Sequence, residues 1–557
     1  MNIKNYYKLS IPLILLGGIL LLTAFLTNSN AQTGEGDKLI KTEAIDIIKP
    51  YKPTLSEAYK LSTNPKLDIS DNVKPNLKYN VNPKELEIPF ATGRIKPARM
   101  KSEKIPNLHN FYAKAGFGRF TTPVAEVYYN NKWSRDYSVG AYAKHYSSQG
   151  QIANSSFSDN NVGVYGKKFY NRYTIGAGLD YSRNTLNFYG IDPENISTNI
   201  QISNQLFNSV SAKTRFATNF NPKSKLNYEI NAGVYRFFNK YSSMEDNLTI
   251  AGNITNKIAP DTSLNVKIKA DISTYQNDEG KQGNTLIYIT PKYKMSFYNL
   301  RISAGFNFVN ESTTSNKVHF YPVADLSYKI SGNYLIAYGG MTGNLQKNSF
   351  KSFAHDNPFI NDIITLKNTN TKLHFFGGIK GIINNFTDYN LTANIQNVNN
   401  IPFFITDLSS EFANQFDIIY DNGTIFNFSS QVNCHRSEKL KLNLRGDFFK
   451  YSLKTEEKAW HTPSLTLKFT GYYSIGNKIN LSGSVYAINK TYSKINSPSL
   501  IKEYNGFIDA NLGVEYKYSK AISAFIDMKN IANKNYYLWH NYQSSGFNII
   551  GGVKYAF

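Results

Sequence analysis

Histidine and cysteine are the side chains of this 557-residue chain best suited to metal or nucleophilic chemistry, and their spacing supports neither. His109, His145, His319, His355, His374, His435, His461 and His540 form no HExxH and no close ligand pair, so no single helix or strand presents two of them to one metal. Cys434 is alone, which rules out an intramolecular disulfide and any CxxC redox or metal site. Gly377-Gly378 and Gly551-Gly552 lie in strand-like stretches, where small residues relieve crowding, and not in a phosphate-binding loop. No Ser, His and acidic set can be picked out from order alone. The reading is of a non-enzyme without catalytic residue, metal ligand or cofactor.

What chemistry remains is electrostatic. The formal net charge is +22; the first 31 residues contribute +2 and residues 32–107, with 14 Lys plus Arg and 10 Asp plus Glu, contribute +4, which leaves +16 for residues 108–557. A wet basic lumen would attract anions, and basic loops would bind phosphorylated glycolipid head groups. Nucleic-acid binding is excluded as a partner class by the export signal.

That signal occupies residues 1–31. Lys4 and Lys8 precede an almost uncharged apolar run from Leu9 to Leu26, and Ser29, Asn30 and Ala31 offer small residues ahead of Gln32, the pattern of a cleaved secretory signal. An uncleaved anchor helix is the rival reading, weakened by Pro12, Gly17 and Gly18. Residues 32–107 hold 8 of the 19 prolines, interleaved with Lys, and cannot form a packed domain of any size. They are expected to be an extended periplasmic leader, with one short helix near Thr54–Leu61, that threads into a barrel mouth or binds another outer-membrane or periplasmic protein.

From Asn110 onward the pattern has period two. Tyr173, Ile175, Ala177, Leu179 and Tyr181 alternate with Thr174, Gly176, Gly178 and Asp180; Leu512, Val514, Tyr516 and Tyr518 alternate with Asn511, Gly513, Glu515 and Lys517. Mean hydropathy is nonetheless negative, and aromatics reach 14% with 41 Tyr and 36 Phe. A wall with one face to lipid and one to water averages out in this way. A strand can cross lipid only if both its edges are hydrogen-bonded, so the sheet must close.

Turn positions set the strand number. Short turns are expected near Ser134-Arg135-Asp136, Asn171-Arg172, Asn221-Pro222-Lys223, Pro260-Asp261, Tyr298-Asn299, Ser331-Gly332-Asn333, Asn384-Asn385, Arg436-Ser437-Glu438, Gly476-Asn477 and Ser519-Lys520. They describe an all-β transmembrane antiparallel barrel over residues 108–557 with about 22 strands and both ends periplasmic. Asp421-Asn422-Gly423 is a strong tight-hairpin sequence that would upset the parity; it is read as an outer-loop turn or a bulge in one long strand, and counts of 18 or 20 stay open. Residues 346–370 and 397–414 break the alternation and carry apolar clusters. Pro358, Phe359, Pro402, Phe403 and Phe404 are the candidate recognition residues there, in outer loops or an inward-folded constriction.

The stretch Phe525-Ile526-Asp527-Met528-Lys529-Asn530-Ile531-Ala532-Asn533-Lys534-Asn535-Tyr536-Tyr537, followed by a last strand from Phe547 to Phe557, resembles the end of TonB-dependent receptor barrels, closest to those of Bacteroidota outer membranes. Asn530, Ile531, Asn533, Lys534 and Tyr536 carry the penultimate-strand pattern. The likeness extends loosely over residues 108–557. It implies a location in the outer membrane of a Gram-negative cell and, in complete members, energised uptake of large scarce ligands. The departure is the plug: residues 32–107 are too short and too rich in proline to be one. Glu43-Ala44-Ile45-Asp46-Ile47-Ile48 has the acidic and β-branched character of a coupling box, which any short edge-pairing strand shares, so coupled transport is not inherited. The C-terminal Gly552, Val553, Tyr555 and Phe557 resemble the signal read by the barrel-assembly machinery. Two functions follow: porin-like uptake or passage of a solute through a basic lumen, or a non-conducting barrel subunit that anchors or scaffolds a larger outer-membrane complex.

Overall fold

The computed structural model describes residues 109–557 except 132–133, 192–201, 220–223, 314, 411 and 496–499. The signal-cleavage residues Ser29, Asn30, Ala31 and Gln32, the leader with its helix, and the Glu43–Ile48 segment lie outside the described residues.

One antiparallel sheet holds 24 strands, two of which, Thr491–Ile495 and Leu500–Tyr504, form a hairpin in an outer loop that joins the wall only at Thr406. The other 22 close on themselves. The first strand, Phe111–Gly118, pairs with the last, Asn548–Ala556, from Tyr112 opposite Ala556 to Gly118 opposite Ile550, and with Thr122–Asn130 on its other side. No strand edge is left open to lipid, which is the condition a spanning sheet must meet.

The short turns fall where the sequence places them. Residues 170–172, 260–261, 298–299, 385–386, 438–439 and 476–478 each join two long strands at the same end of the barrel as Asn110 and Phe557. Asn221-Pro222-Lys223 lies outside the described residues, but Asn204–Thr218 and Leu226–Asn239 pair across it. Asp421-Asn422-Gly423 sits inside the continuous strand Gln415–Ser437. The irregularity is on the opposite strand, Thr387–Asp407, where the register passes from Val398–Gly423 to Ile401–Asp421 and leaves Asn399 and Asn400 facing Asn422. Asn400 takes φ 57°, a left-handed conformation Asn tolerates, and its amide donates to Asn422 Oδ1 at 2.9 Å. The motif itself is neither turn nor bulge: it stays within one long strand, and the extra residue lies on the strand opposite.

Residues 397–414 require a correction. Pro402, Phe403 and Phe404 are not loop residues but belong to Thr387–Asp407, 21 residues long and paired with the 23-residue Gln415–Ser437. A tilted strand of about 9–11 residues crosses the hydrocarbon layer, so this pair projects far beyond it. There both faces of the strand are covered by loops, both alternating sets become apolar, and the period-two signal vanishes.

Alternation elsewhere sorts lipid from lumen. Val162, Val164, Leu179, Val210, Val234, Ile250, Ile272, Val318 and Phe320 point outward and are exposed, while their strand neighbours carry the hydrogen-bonding groups. At the short-turn end aromatic rings gather: Tyr170 lies 4.5 Å from Tyr173, Tyr173 5.3 Å from Phe216, Phe297 4.6 Å from Tyr298, and Tyr555 stacks 6.5 Å from Phe557. Such a girdle marks the level of the lipid head groups.

Candidate functional site at the outer mouth

Between the strands Leu335–Gln346 and Thr369–Asn384 the chain turns inward. A short helix, α1 (Phe350–Asp356), begins at Ser349, whose side chain accepts from the Ser352 amide while the Ser352 hydroxyl accepts from the Ser349 amide. This reciprocal cap lets the helix start inside the mouth with its first donors satisfied. Phe350, Phe353 and Ala354 share one face and are buried. The Phe350 ring meets Phe207, Phe237 and Tyr275 at 6.2, 5.5 and 5.3 Å. These three lie on the opposite face of their strands from the lipid-exposed Val210, Val234 and Ile272, so the segment packs on the inner wall.

Polar groups fix it there. The buried Glu245 accepts from the Tyr235 hydroxyl at 2.5 Å and from the Lys351 amide at 3.0 Å, placing a carboxylate on the first turn of α1. Lys351 Nζ donates to Ser209 Oγ at 3.0 Å and lies 4.1 Å above the Tyr235 ring; burial lowers its pKa. The Asp362 carbonyl accepts from Ser243 Oγ at 2.9 Å and from the Tyr275 hydroxyl. Gln282 exchanges two hydrogen bonds with the Leu366 backbone, and Asn284 pairs with Asn368.

On its far side the same segment is tied to other strands and loops. Ile360 bridges Phe416; the Phe416 amide donates to the Phe359 carbonyl at 3.1 Å, and the Asn361 amide to the Phe416 carbonyl at 2.8 Å. Phe359 stacks on Tyr542 at 3.5 Å and meets Tyr189 edge-on at 5.9 Å, while Phe353 meets Phe404 at 5.9 Å. Trp539 completes the layer, 5.1 Å from Phe404, 5.5 Å from Phe416 and 5.0 Å from His461. An aromatic and aliphatic layer therefore runs across the outer mouth from the strand carrying Phe207 to the strand carrying Phe416. Burial pushes the His461 imidazole down to about 3 and raises Tyr189 to about 12, Tyr542 well above its ordinary value and the Asp362 carboxyl above its own.

Of the residues singled out from sequence, Phe359 and Phe404 join this layer. Phe403 faces the other way, packing with Ile401, Ile405 and Trp460. Asn530, Ile531, Asn533, Lys534 and Tyr536 lie just beyond the strand Ile522–Lys529 and open the last outer loop. Asn530 and Asn533 have φ of 47° and 49°; Asn530 Nδ2 donates to the Lys534 and Ser545 carbonyls, and Tyr536 stacks on Phe507 at 3.6 Å. The pattern read as strand is a folded turn. It holds Trp539 and Tyr542 over the mouth.

At the seam Gly552 faces Gly116, and a Cβ on Gly552 would lie against the Ala115 carbonyl and 2.6 Å from Gly116 Cα. Val553, Tyr555 and Phe557 point to lipid and are exposed. Sequence reasoning missed Phe350, Glu245, Trp539 and Tyr542; the helical spacing of Phe350, Phe353 and Ala354 was the available signal for the first.

Inside the wall, cations meet carboxylates: Lys114 with Asp527 at 3.3 Å, Lys347 with Asp271 at 2.6 Å, Arg445 with Asp447 at 2.7 Å and Lys554 with Glu515 at 2.8 Å. Among the described residues, no group of His, Cys, Asp and Glu could hold a metal ion.

No family model matches the chain, and no curated protein matches it. Solved structures do. The FrpB iron transporter from Neisseria meningitidis (F3-3 variant) is 9% identical with a TM-score of 0.64 over 81% of this chain and 82% of that one. The pyoverdine outer membrane receptor FpvA from Pseudomonas aeruginosa PAO1, bound to pyoverdine, is 11% identical with a TM-score of 0.63 over 82% and 79%. The ferric-catecholate import receptor Fiu from E. coli K12, in its closed form, is 10% identical with a TM-score of 0.62 over 81% and 82%. At these identities the likeness shows the fold of the barrel.

Proposed function

We propose that this chain is an outer-membrane barrel of the TonB-dependent receptor type that passes a solute across the bilayer and rests with its outer mouth closed by residues 347–368. The observation that carries the reading is the attachment of one segment to both sides of the mouth, on Phe207, Phe237 and Tyr275 at one end and on Phe416 at the other. A seal of this kind has a use in a barrel that must open on demand. The three structural neighbours bear the names of an iron transporter, an outer membrane receptor and an import receptor, which supports transport as the role without naming this chain's solute.

In this reading residues 1–31 are removed on export, residues 32–107 and the C-terminus face the periplasm, and Gly552, Val553, Tyr555 and Phe557 direct the chain to the assembly machinery. A plugless architecture of Bacteroidota type would leave residues 347–368, with or without the leader, as the closure. Anion preference would rest on net charge beyond the ion pairs of the wall.

Planar-bilayer conductance is the test. Full-length protein is expected to be silent, and a variant with residues 350–360 replaced by a Gly/Ser linker to conduct. A second variant lacking residues 32–107 reports whether the leader closes the barrel too. The layer across the mouth equally favours the second reading, a non-conducting anchor within a larger complex: silence in the full-length protein, in both single variants and in the double variant selects it.

A further inference from the structure

One end of the barrel carries a run of exposed cations without acidic partners. Arg135, Arg172, Lys225, Lys439, Lys478 and Lys520 lie in six of the ten short turns, are exposed, and form no ion pair among the described residues; the acidic residues of all ten turns, among those described, are Asp136, Asp261 and Glu438. These six turns flank the closing seam, three on each side, and the four turns between Ala259 and Thr387 carry no cation. The outer end is built differently. Its cations sit among Asp278, Glu279, Glu456, Glu457 and Glu503 and enter pairs such as Lys490 with Glu503 and Lys494 with Glu456.

The position of this rim decides its ligand. It lies at the level of the aromatic girdle, where Tyr298, Tyr518 and Phe557 are 92%, 76% and 75% exposed and Lys168 Nζ stands 5.5 Å over the Tyr170 ring. Exposed aromatic rings at a barrel's margin mark the interface between acyl chains and head groups. Long cationic side chains one turn away reach the depth of lipid phosphate. We propose that the short-turn rim binds the phosphate groups of anionic phospholipids in the leaflet it faces. The charge runs through six successive turns on both sides of the closing seam and borders the wall over more than half of its circumference.

The proposal depends on the barrel lying in a bilayer and is independent of conduction. Full-length protein in phosphatidylcholine vesicles would be probed by electron spin resonance with spin-labelled phosphatidylglycerol and, separately, spin-labelled phosphatidylcholine. The motion-restricted fraction should favour the phosphatidylglycerol label roughly fivefold, from cations near the head-group plane, and the preference should collapse in 1 M NaCl as about 3 Å of screening length replaces about 10 Å. A variant with the six turn cations changed to Gln should lose the preference while keeping its heat-modifiable mobility; a variant with Lys240, Lys454 and Lys534 at the outer end changed to Gln should keep it. Equal restriction of both labels by the wild type, or a preference indifferent to salt, overturns the proposal whether or not the turn variant folds. Binding of soluble peptidoglycan fragments to the rim without a phosphatidylglycerol preference overturns it in favour of carboxylate recognition.

Discussion

At the scale of single residues, three side chains carry consequences that can be measured. Gly552 sits where the last strand closes on the first, and its missing Cβ is what lets Gly116 approach. Gly552→Val is expected to prevent closure, seen as loss of the heat-modifiable folded band on unboiled gels. Glu245 is buried and holds both the Tyr235 hydroxyl and the first turn of the inward helix. Glu245→Ala removes two hydrogen bonds to a charged group, each worth about 1.5–3 kcal/mol, and should expose residues 347–368 to protease in reconstituted protein while the barrel stays intact. His461 is held down to about 3 against an ordinary 6.5. A group depressed in this way binds fewer protons folded than unfolded between those values, so its contribution is fully present above pH 6.5 and is lost as pH falls toward 3. Asp362, raised by burial, works in the opposite sense. The emission of Trp539, 5.0 Å from His461, should therefore hold steady from pH 7 to pH 5 and change as pH approaches 3 in the wild type, and much less in His461→Phe. An equal response in both would assign the change to other groups.

At the scale of elements, the inward segment is a helix of 7 residues, too short to be stable alone. Its order comes from the cap at Ser349 and from Phe350, which is fully buried against three wall strands. Phe350→Ala should weaken the segment by about 3–5 kcal/mol, the cost of deleting a buried aromatic. The readout is single-channel recording: rare openings that are absent in the wild type, without loss of barrel yield. No change in either conductance or protease access of residues 347–368 would show that the hydrogen bonds from Ser243, Tyr275 and Gln282 hold the segment unaided. Much of this element was illegible beforehand. Phe350, Phe353 and Ala354 have helical spacing, but nothing in seven residues says that their partners are Phe207, Phe237 and Tyr275, more than seventy positions away. The strands were easier, because Ile175, Leu179 and Tyr181 reveal a lipid face wherever the other face is wet. Where Thr387–Asp407 leaves the bilayer, Phe403 and Phe404 are both covered, and the same rule mistook strand for loop.

At the scale of the whole molecule, closure and charge are separate designs. Hydrogen bonding between Phe111–Gly118 and Asn548–Ala556 makes the sheet seamless, and ion pairs offset some of the cations on the inner wall. Six further cations stand exposed in the short turns of the rim. If the mouth layer is the principal barrier, replacing residues 350–360 should convert a silent barrel into a conducting one even with residues 32–107 present. If only removal of both segments opens it, the barrier is double. Either result locates the closure, and the spin-label preference for anionic lipid should be unchanged by both deletions.

What the sequence determined by itself was periodic or local: the alternation of the wall, the short turns, a strand count near 22 and the position of the last strand. Each follows from a requirement met within a few residues, either to face lipid or to reverse direction tightly. The tertiary structure alone decided that residues 347–368 fold into the mouth, that Phe359 and Phe404 join one layer while Phe403 turns away, and that Asn530 to Tyr536 make a turn. These outcomes depend on which of 22 strands stand opposite one another around a ring. Bringing residue 350 to residue 207 and residue 359 to residue 542 is a property of the closed circumference, and no window of sequence contains it.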